Sequence, residues 1–83
     1  MIVRVRLFAA IREAVGRESV ELKMAEDATP EDVWRELSGL DPSGGLAARR
    51  VNLAAAVNRK YTRFDARLKD GDEVVFIPPV SGG

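Results

Sequence analysis

The sequence contains no cysteine and no histidine among its 83 residues. Without cysteine, the chain has neither a disulfide framework nor a thiol nucleophile. Without histidine, it lacks the commonest general base and metal ligand. The familiar metal-ligand spacings and nucleophile–base pairs are therefore excluded, so we expect no metal site and no self-contained catalytic centre.

An excess of charge of one sign is also missing, because 13 basic residues balance 13 acidic ones. Proteins that bind nucleic acid electrostatically carry a basic surplus, so we expect no nucleic-acid partner. Two local basic groups, Arg49-Arg50 and the set Arg59, Lys60 and Arg63, are interpreted as solvated surface. The sequence also lacks a Walker A loop and a dinucleotide glycine fingerprint, so the chain itself is expected to bind no cofactor.

Long hydrophobic runs are absent as well. Arg4 and Arg6 interrupt the apolar start, which is therefore neither a signal peptide nor a membrane span. We expect a cytoplasmic protein with no membrane partner. At this length, residues 1–83 form one domain with a small core.

Alternating apolar and polar residues predict a set of strands. In the first strand, Val3, Val5 and Leu7 share the buried face, which leaves Phe8 on the side that faces solvent. The last strand is apolar on both faces, as expected of a central strand. The predicted strands cover residues 2–8, 19–24, 53–57 and 73–77, and a short edge strand begins at Tyr61.

Helix signals lie between these strands. Residues 9–15 are helix formers followed by Gly16, a typical residue after a helix end. A longer helix begins at Thr29-Pro30, a capping residue followed by proline in the first helical position, and Gly39 ends it. Its predicted buried residues are Val33, Trp34, Leu37 and Leu40, and a helical turn follows at 46–51. This order predicts an α+β protein with a β-grasp (ubiquitin-like) fold, in which a mixed sheet packs on one main helix and the last strand is central, beside the first.

The sequence finishes on two glycines that follow the last predicted strand and a proline pair. Glycine has no Cβ, so such a tip fits a narrow active site. A terminal carboxylate is a poor electrophile and must first be activated, for instance as an acyl-adenylate. Because this chain has no nucleotide motif, a partner must supply ATP and Mg²⁺. We expect an extended tail at 78–83, made of Pro78, Pro79, Val80, Ser81, Gly82 and Gly83.

A docking surface for a partner is predicted beside this tail. Phe8 lies on the solvent side of the first strand, Ile77 on the outer face of the last strand, and Tyr61 near a turn at the sheet edge. Together these side chains can form an exposed apolar patch, which marks a partner site. The alternative is three separate surface apolar residues, which are common.

With these features the sequence resembles the small, sulfur-carrying subunit of molybdopterin synthase. The resemblance is most specific over residues 70–83 and is supported by residues 7–13 and 56–58, whereas the loop at 41–50 matches no pattern. It implies that an E1-like adenylyltransferase activates Gly83 with ATP and that a sulfur donor protein converts the adenylate to a thiocarboxylate. The tail would then donate its sulfur to cyclic pyranopterin monophosphate in the large synthase subunit, which forms the molybdopterin dithiolene.

The resemblance also implies an assembly of two small and two large subunits. In it, Phe8, Tyr61 and Ile77 match apolar partner contacts and Arg12 matches a polar one. The chain would be part of an enzyme only as the small subunit of a sulfurtransferase complex, with the catalytic groups on its partners. Three alternatives stay open: a sulfur carrier of thiazole (thiamin) biosynthesis, a protein modifier conjugated to lysines, and a β-grasp interaction module with an inert terminus.

Overall fold

The computed structural model describes residues 1–79. Within this range the chain forms five strands and three helices. Pro78 and Pro79 of the predicted tail are exposed, whereas Val80, Ser81, Gly82 and Gly83 lie outside the described residues. The elements are β1 (Ile2–Arg6), α1 (Ala9–Val15), β2 (Ser19–Lys23), α2 (Pro30–Ser38), α3 (Gly45–Ala48), β3 (Ala54–Val57), β4 (Lys60–Thr62) and β5 (Glu73–Ile77).

The five strands form one mixed sheet in the order β2-β1-β5-β3-β4. β1 pairs antiparallel with β2 and parallel with β5, while β3 pairs antiparallel with both β5 and β4. The last strand is therefore central and the first lies beside it, as the sequence predicts. Because β1 and β5 run in parallel, their carboxyl ends lie at the same edge of the sheet, where Arg6 is the register partner of Val75. The predicted β-grasp fold is confirmed.

The main helix, α2, begins at a reciprocal cap between Thr29 and Asp32. The Asp32 N–H donates to Thr29 Oγ1 at 3.3 Å, and the Thr29 N–H donates to Asp32 Oδ2 at 3.0 Å. Trp34 on the buried face meets the Phe76 ring edge-on, with the ring centres 5.0 Å apart. None of the helices within residues 1–79 combines the length and the apolar character needed to cross a bilayer.

The predicted end of α2 at Gly39 is confirmed, whereas the predicted burial of Leu40 is wrong. Gly39 follows the last helical residue, but its φ of −67° is right-handed, so its backbone does not require glycine. Leu40, predicted to be buried, is 45% exposed. The helix ends at Ser38, so helical spacing no longer sets the direction of a side chain two residues later.

The loop at 41–50, which matched no sequence pattern, is organised by the buried carboxylate of Asp41. This carboxylate accepts hydrogen bonds from the Ser43 N–H at 3.0 Å, the Ser43 hydroxyl at 2.8 Å and the Leu46 N–H at 2.8 Å. These bonds, that from Leu46 above all, lower the pKa of Asp41 below its ordinary value. They hold Leu46, only 1% exposed, in the core. The loop therefore has a structural role.

Candidate docking groove

The three apolar residues predicted to form a patch line one groove of about 350 Å³ on the outer face of the sheet. Strand register explains why they meet: Val75 lies beside Ala56, and Ala56 lies beside Tyr61. The small side chain of Ala56 forms the floor, and larger residues stand around it. We call this feature the docking groove; it is lined by Arg6, Phe8, Ala56, Arg59, Tyr61, Glu73, Val75 and Ile77.

The walls of the docking groove are accessible. Phe8 is 49% exposed and Tyr61 is 76% exposed, whereas Ile77 is half-buried. Because these residues share one groove, the alternative of three separate surface residues does not describe them. Their role as partner contacts stays a prediction.

Arg12, the predicted polar contact, lies outside the docking groove. It lines a different surface depression together with Gly16, Arg17 and Glu18. Its backbone N–H donates to the Phe8 carbonyl at 3.2 Å, so it stands one turn of α1 away from that wall of the groove. Contact of Arg12 with a partner stays a prediction that concerns a second surface.

Phe8 occupies a helix-capping position, at which a small polar residue is normally favoured. It is the N-cap of α1, with an extended backbone (φ −131°, ψ 153°) and no side-chain cap. Ser, Thr, Asp and Asn are favoured there because their oxygens accept a free helix N–H, and a residue without such an oxygen forgoes about 1 kcal/mol. The next residue, Ala9, has φ +49°, an uncommon backbone region for alanine. Local rules are most often broken at functional sites, which favours a functional role for the Phe8 ring.

Sequence reasoning missed five residues of the docking groove. Three of them had a usable signal, since period-two alternation places Arg6 on the same face as Phe8, and Glu73 and Val75 on the same face as Ile77. Ala56 enters only through strand pairing. Arg59, interpreted as solvated surface, lines the groove from the two-residue turn between β3 and β4. The missed residues are Arg6, Ala56, Arg59, Glu73 and Val75.

A second cleft, of about 370 Å³, lies at the start of α2, but structural contacts occupy its carboxylates. Asp32 caps the helix, and Asp65 pairs with Arg63 at 3.0 Å. Glu31 accepts two hydrogen bonds from Arg50, at 2.8 and 2.9 Å, and they lower the pKa of the Glu31 carboxyl. Within residues 1–79, no group of three or more acidic side chains is placed to hold a metal ion.

Comparisons with known proteins agree with the resemblance drawn from the sequence. A molybdopterin synthase sulfur carrier subunit from Escherichia coli (strain K12) is 40% identical over 81 residues, which cover 98% of this chain and 99% of that protein. Small archaeal modifier protein 3 from Haloferax volcanii is 36% identical over 94 residues, with both chains fully covered.

Among solved structures, the fold matches a chain in the complex of subunits 1 and 2 of molybdopterin-converting factor from Helicobacter pylori. The TM-score is 0.64 at 31% identity, with both chains fully covered. Residues 5–83 match the ThiS family. With nearly its whole length matched, the chain belongs to the ThiS family.

Proposed function

We propose that this chain is the sulfur carrier subunit of a molybdopterin synthase. The observation that carries the proposal is the 40% identity to the Escherichia coli sulfur carrier subunit over nearly the full length of both chains. The lack of cysteine and histidine supports it, because a carrier needs no nucleophile or base of its own when its partners supply them.

In the proposed cycle, the reacting group is the terminal carboxylate of Gly83. With a pKa of about 3.5 it is ionised near neutrality and cannot itself be attacked readily. On an E1-like adenylyltransferase, with ATP and Mg²⁺ bound by that enzyme, a carboxylate oxygen attacks the α-phosphate. Pyrophosphate leaves, and the product is an acyl-adenylate. Sulfide-level sulfur supplied by a donor protein then attacks the acyl carbon, AMP leaves, and the acyl-adenylate becomes a thiocarboxylate.

The second half of the cycle takes place in the large synthase subunit. The thiocarboxylate sulfur attacks a side-chain carbon of cyclic pyranopterin monophosphate and displaces an oxygen substituent. Water then hydrolyses the resulting thioester, which leaves the sulfur on the pterin and restores the carrier's carboxylate. Two such transfers supply the two sulfurs of the molybdopterin dithiolene. We place the cycle in the cytoplasm, in an assembly of two small and two large subunits, with the sulfurtransferase activity residing in that complex.

The docking groove supports this proposal through its position on β5. Ile77 is both the last residue of β5 and a wall of the groove, and the exposed Pro78 and Pro79 follow it directly. Residues 79–83, when extended, span about 15–17 Å. A partner seated on the groove is therefore held within one tail length of Gly83, while the folded body stays outside the partner's active site.

Intact-mass spectrometry tests the proposal. The chain is incubated with the adenylyltransferase from the same genome, ATP, Mg²⁺ and a sulfur donor. We expect the mass increase that corresponds to replacement of one oxygen by sulfur, followed by molybdopterin formation when the large subunit and cyclic pyranopterin monophosphate are added. If an adenylyltransferase that is active on another carrier leaves this chain unchanged, the proposal is wrong.

The 36% identity to an archaeal modifier protein supports a second candidate, conjugation to lysines of other proteins. The same activated carboxylate would then be attacked by a lysine amine, with loss of AMP and formation of an amide. The discriminating observation is a ladder of higher-mass adducts in cell extracts that disappears when Gly83 is deleted. A thiocarboxylate without such adducts favours the carrier.

A further inference from the structure

Arg59 stands at the rim of the docking groove in a backbone conformation that arginine rarely adopts. Val57 pairs with Lys60, so the β3–β4 connection is a two-residue turn made of Asn58 and Arg59. Both residues have positive φ, +51° and +71° respectively, as a type I′ turn requires. Asparagine suits the first position, and glycine is the favoured residue at the second. An arginine there therefore costs conformational free energy that a glycine would avoid.

Neighbouring residues, rather than the Arg59 side chain, hold this turn in place. The Asn58 amide donates to Asp72 Oδ1 at 2.9 Å and accepts from the Glu73 N–H at 3.0 Å. The Asn58 N–H also donates to the Glu73 carbonyl at 2.8 Å. The turn is thus fixed to the start of β5, and strained residues held by their surroundings in this way cluster at functional sites.

The Arg59 guanidinium forms no ion pair within residues 1–79. Four other arginines in the same range do pair with carboxylates: Arg4, Arg35, Arg50 and Arg63. Arg6, on the opposite rim of the docking groove, also lacks a carboxylate partner in this range, and its guanidinium carbon lies 5.8 Å from the centre of the Phe8 ring. With Glu73 as the acid at the rim, the groove is a net cationic surface on a chain of zero net charge.

This arrangement indicates what covers the groove. A guanidinium is weakly hydrated and binds a carboxylate through two parallel hydrogen bonds, which suits it to partly desolvated interfaces. An apolar floor with a cationic rim is complementary to an apolar side chain that stands beside a carboxylate. We propose that the large synthase subunit, when it covers the docking groove, presents a carboxylate to Arg59. This proposal rests on the proposed function for the identity of the partner.

The test compares two Arg59 variants with a matched control on the neighbouring residue. Affinity for the large subunit from the same genome is measured by calorimetry at low and high salt. We expect Arg59→Glu to weaken binding by about tenfold or more and Arg59→Gly by several-fold, with a smaller salt dependence than that of the unmodified chain. Lys60→Glu reverses the same charge one residue away, outside the groove, and is expected to change the affinity by less than about twofold.

The Arg59→Gly variant distinguishes a contact of Arg59 with the partner from a role of Arg59 in stabilising the turn. Because glycine relieves the strained turn, its urea midpoint is expected to equal or exceed that of the unmodified chain while its affinity falls. If the unmodified chain binds and both Arg59 variants bind equally well, the Arg59 proposal alone is overturned. Equal weakening by Lys60→Glu also overturns it, because the effect would then be one of general charge. If the unmodified chain does not bind the large subunit, the proposed function fails as well.

Discussion

The guanidinium carbon of Arg50 lies 3.5 Å from the centre of the Phe64 ring, and the same guanidinium donates two hydrogen bonds to Glu31. Phe64 in turn stacks on Phe76, with the ring centres 6.0 Å apart. The Glu31 N–H closes the arrangement by donating to the Phe64 carbonyl at 3.1 Å. This Arg50–Glu31–Phe64 cluster joins the segment after α3, the start of α2 and the loop after β4 on the helical side of the sheet.

Replacing Arg50 with alanine should lower the free energy of unfolding by about 1–2 kcal/mol. Roughly half comes from a half-exposed ion pair and half from the stacked cation on the Phe64 ring. Urea unfolding measures the change. Arg49→Ala, an exposed neighbour, is the control and should stay within about 0.5 kcal/mol. Equal effects of the two variants would show that the cluster adds nothing specific.

Stability should fall as the solution is acidified below about pH 5. Glu31 has a pKa lowered from the ordinary 4.5, chiefly by its hydrogen bond from Arg50, and Asp41 has one lowered from 3.8, chiefly by the Leu46 N–H. In this range the unfolded chain binds more protons than the folded chain does. The stability that Glu31 and Asp41 contribute is therefore present above the pKa values of the unfolded chain, and it is lost as the pH falls through the lowered pKa values of the folded chain.

Urea midpoints measured between about pH 7 and pH 3 test this dependence. Glu31→Gln and Asp41→Asn should each flatten the loss, because each removes one titrating group. Glu13→Gln, which removes an exposed carboxylate on α1, is the control. A pH profile that the first two variants leave unaltered would contradict the assignment.

Phe8→Asp should abolish or strongly weaken partner binding without harming the fold. Aspartate at the N-cap of α1 accepts a free helix N–H, so the free energy of unfolding should stay equal or rise by about 0.5–1 kcal/mol. Ile77→Asp should also weaken binding while the domain stays folded. Val51→Asp, at a position 72% exposed and outside the docking groove, supplies the control. Affinities of both groove variants that match the control would refute the apolar patch.

Deletion of Gly83 should eliminate thiocarboxylate formation and leave stability within about 0.5 kcal/mol. The described core side chains reach only as far as Phe76, so the fold is expected not to depend on the last residue. Mass spectrometry measures thiocarboxylate formation, and urea unfolding measures stability. Sulfur loading of the shortened chain would show that the reacting group is elsewhere.

Local sequence rules predicted the parts of the fold that depend on near neighbours. Alternation located the strands, Gly16 with φ +81° ends α1, and Thr29 caps α2 as expected. The family that the sequence resembled is confirmed by the comparisons. Phe8, Tyr61 and Ile77 line one groove, as the sequence predicted from the solvent-side faces given to Phe8 and Ile77 and from the position of Tyr61 near a turn at the sheet edge.

Contacts between distant segments could not be read from the sequence. Arg50 appeared to be solvated surface, but its partner Glu31 is 19 residues away. The alanines of β3 are weak strand formers. Their roles are visible only in the folded structure, where Ala55 packs in the core and Ala56 forms the floor of the docking groove. Arg59 was missed because a charged residue at a turn has the same sequence signature whether it faces solvent or a groove.

The central place of β5 has a mechanical consequence for the proposed cycle, in which partners draw the tail into their active sites. β5 is hydrogen-bonded along one side to β1 and along the other to β3. A pulling force applied at Pro79 acts along the axis of β5 and loads its hydrogen bonds to β1 and to β3 in shear. These bonds must therefore break together rather than one after another. In the proposed cycle, a partner that pulls on the tail therefore does not peel β5 away from the sheet one hydrogen bond at a time.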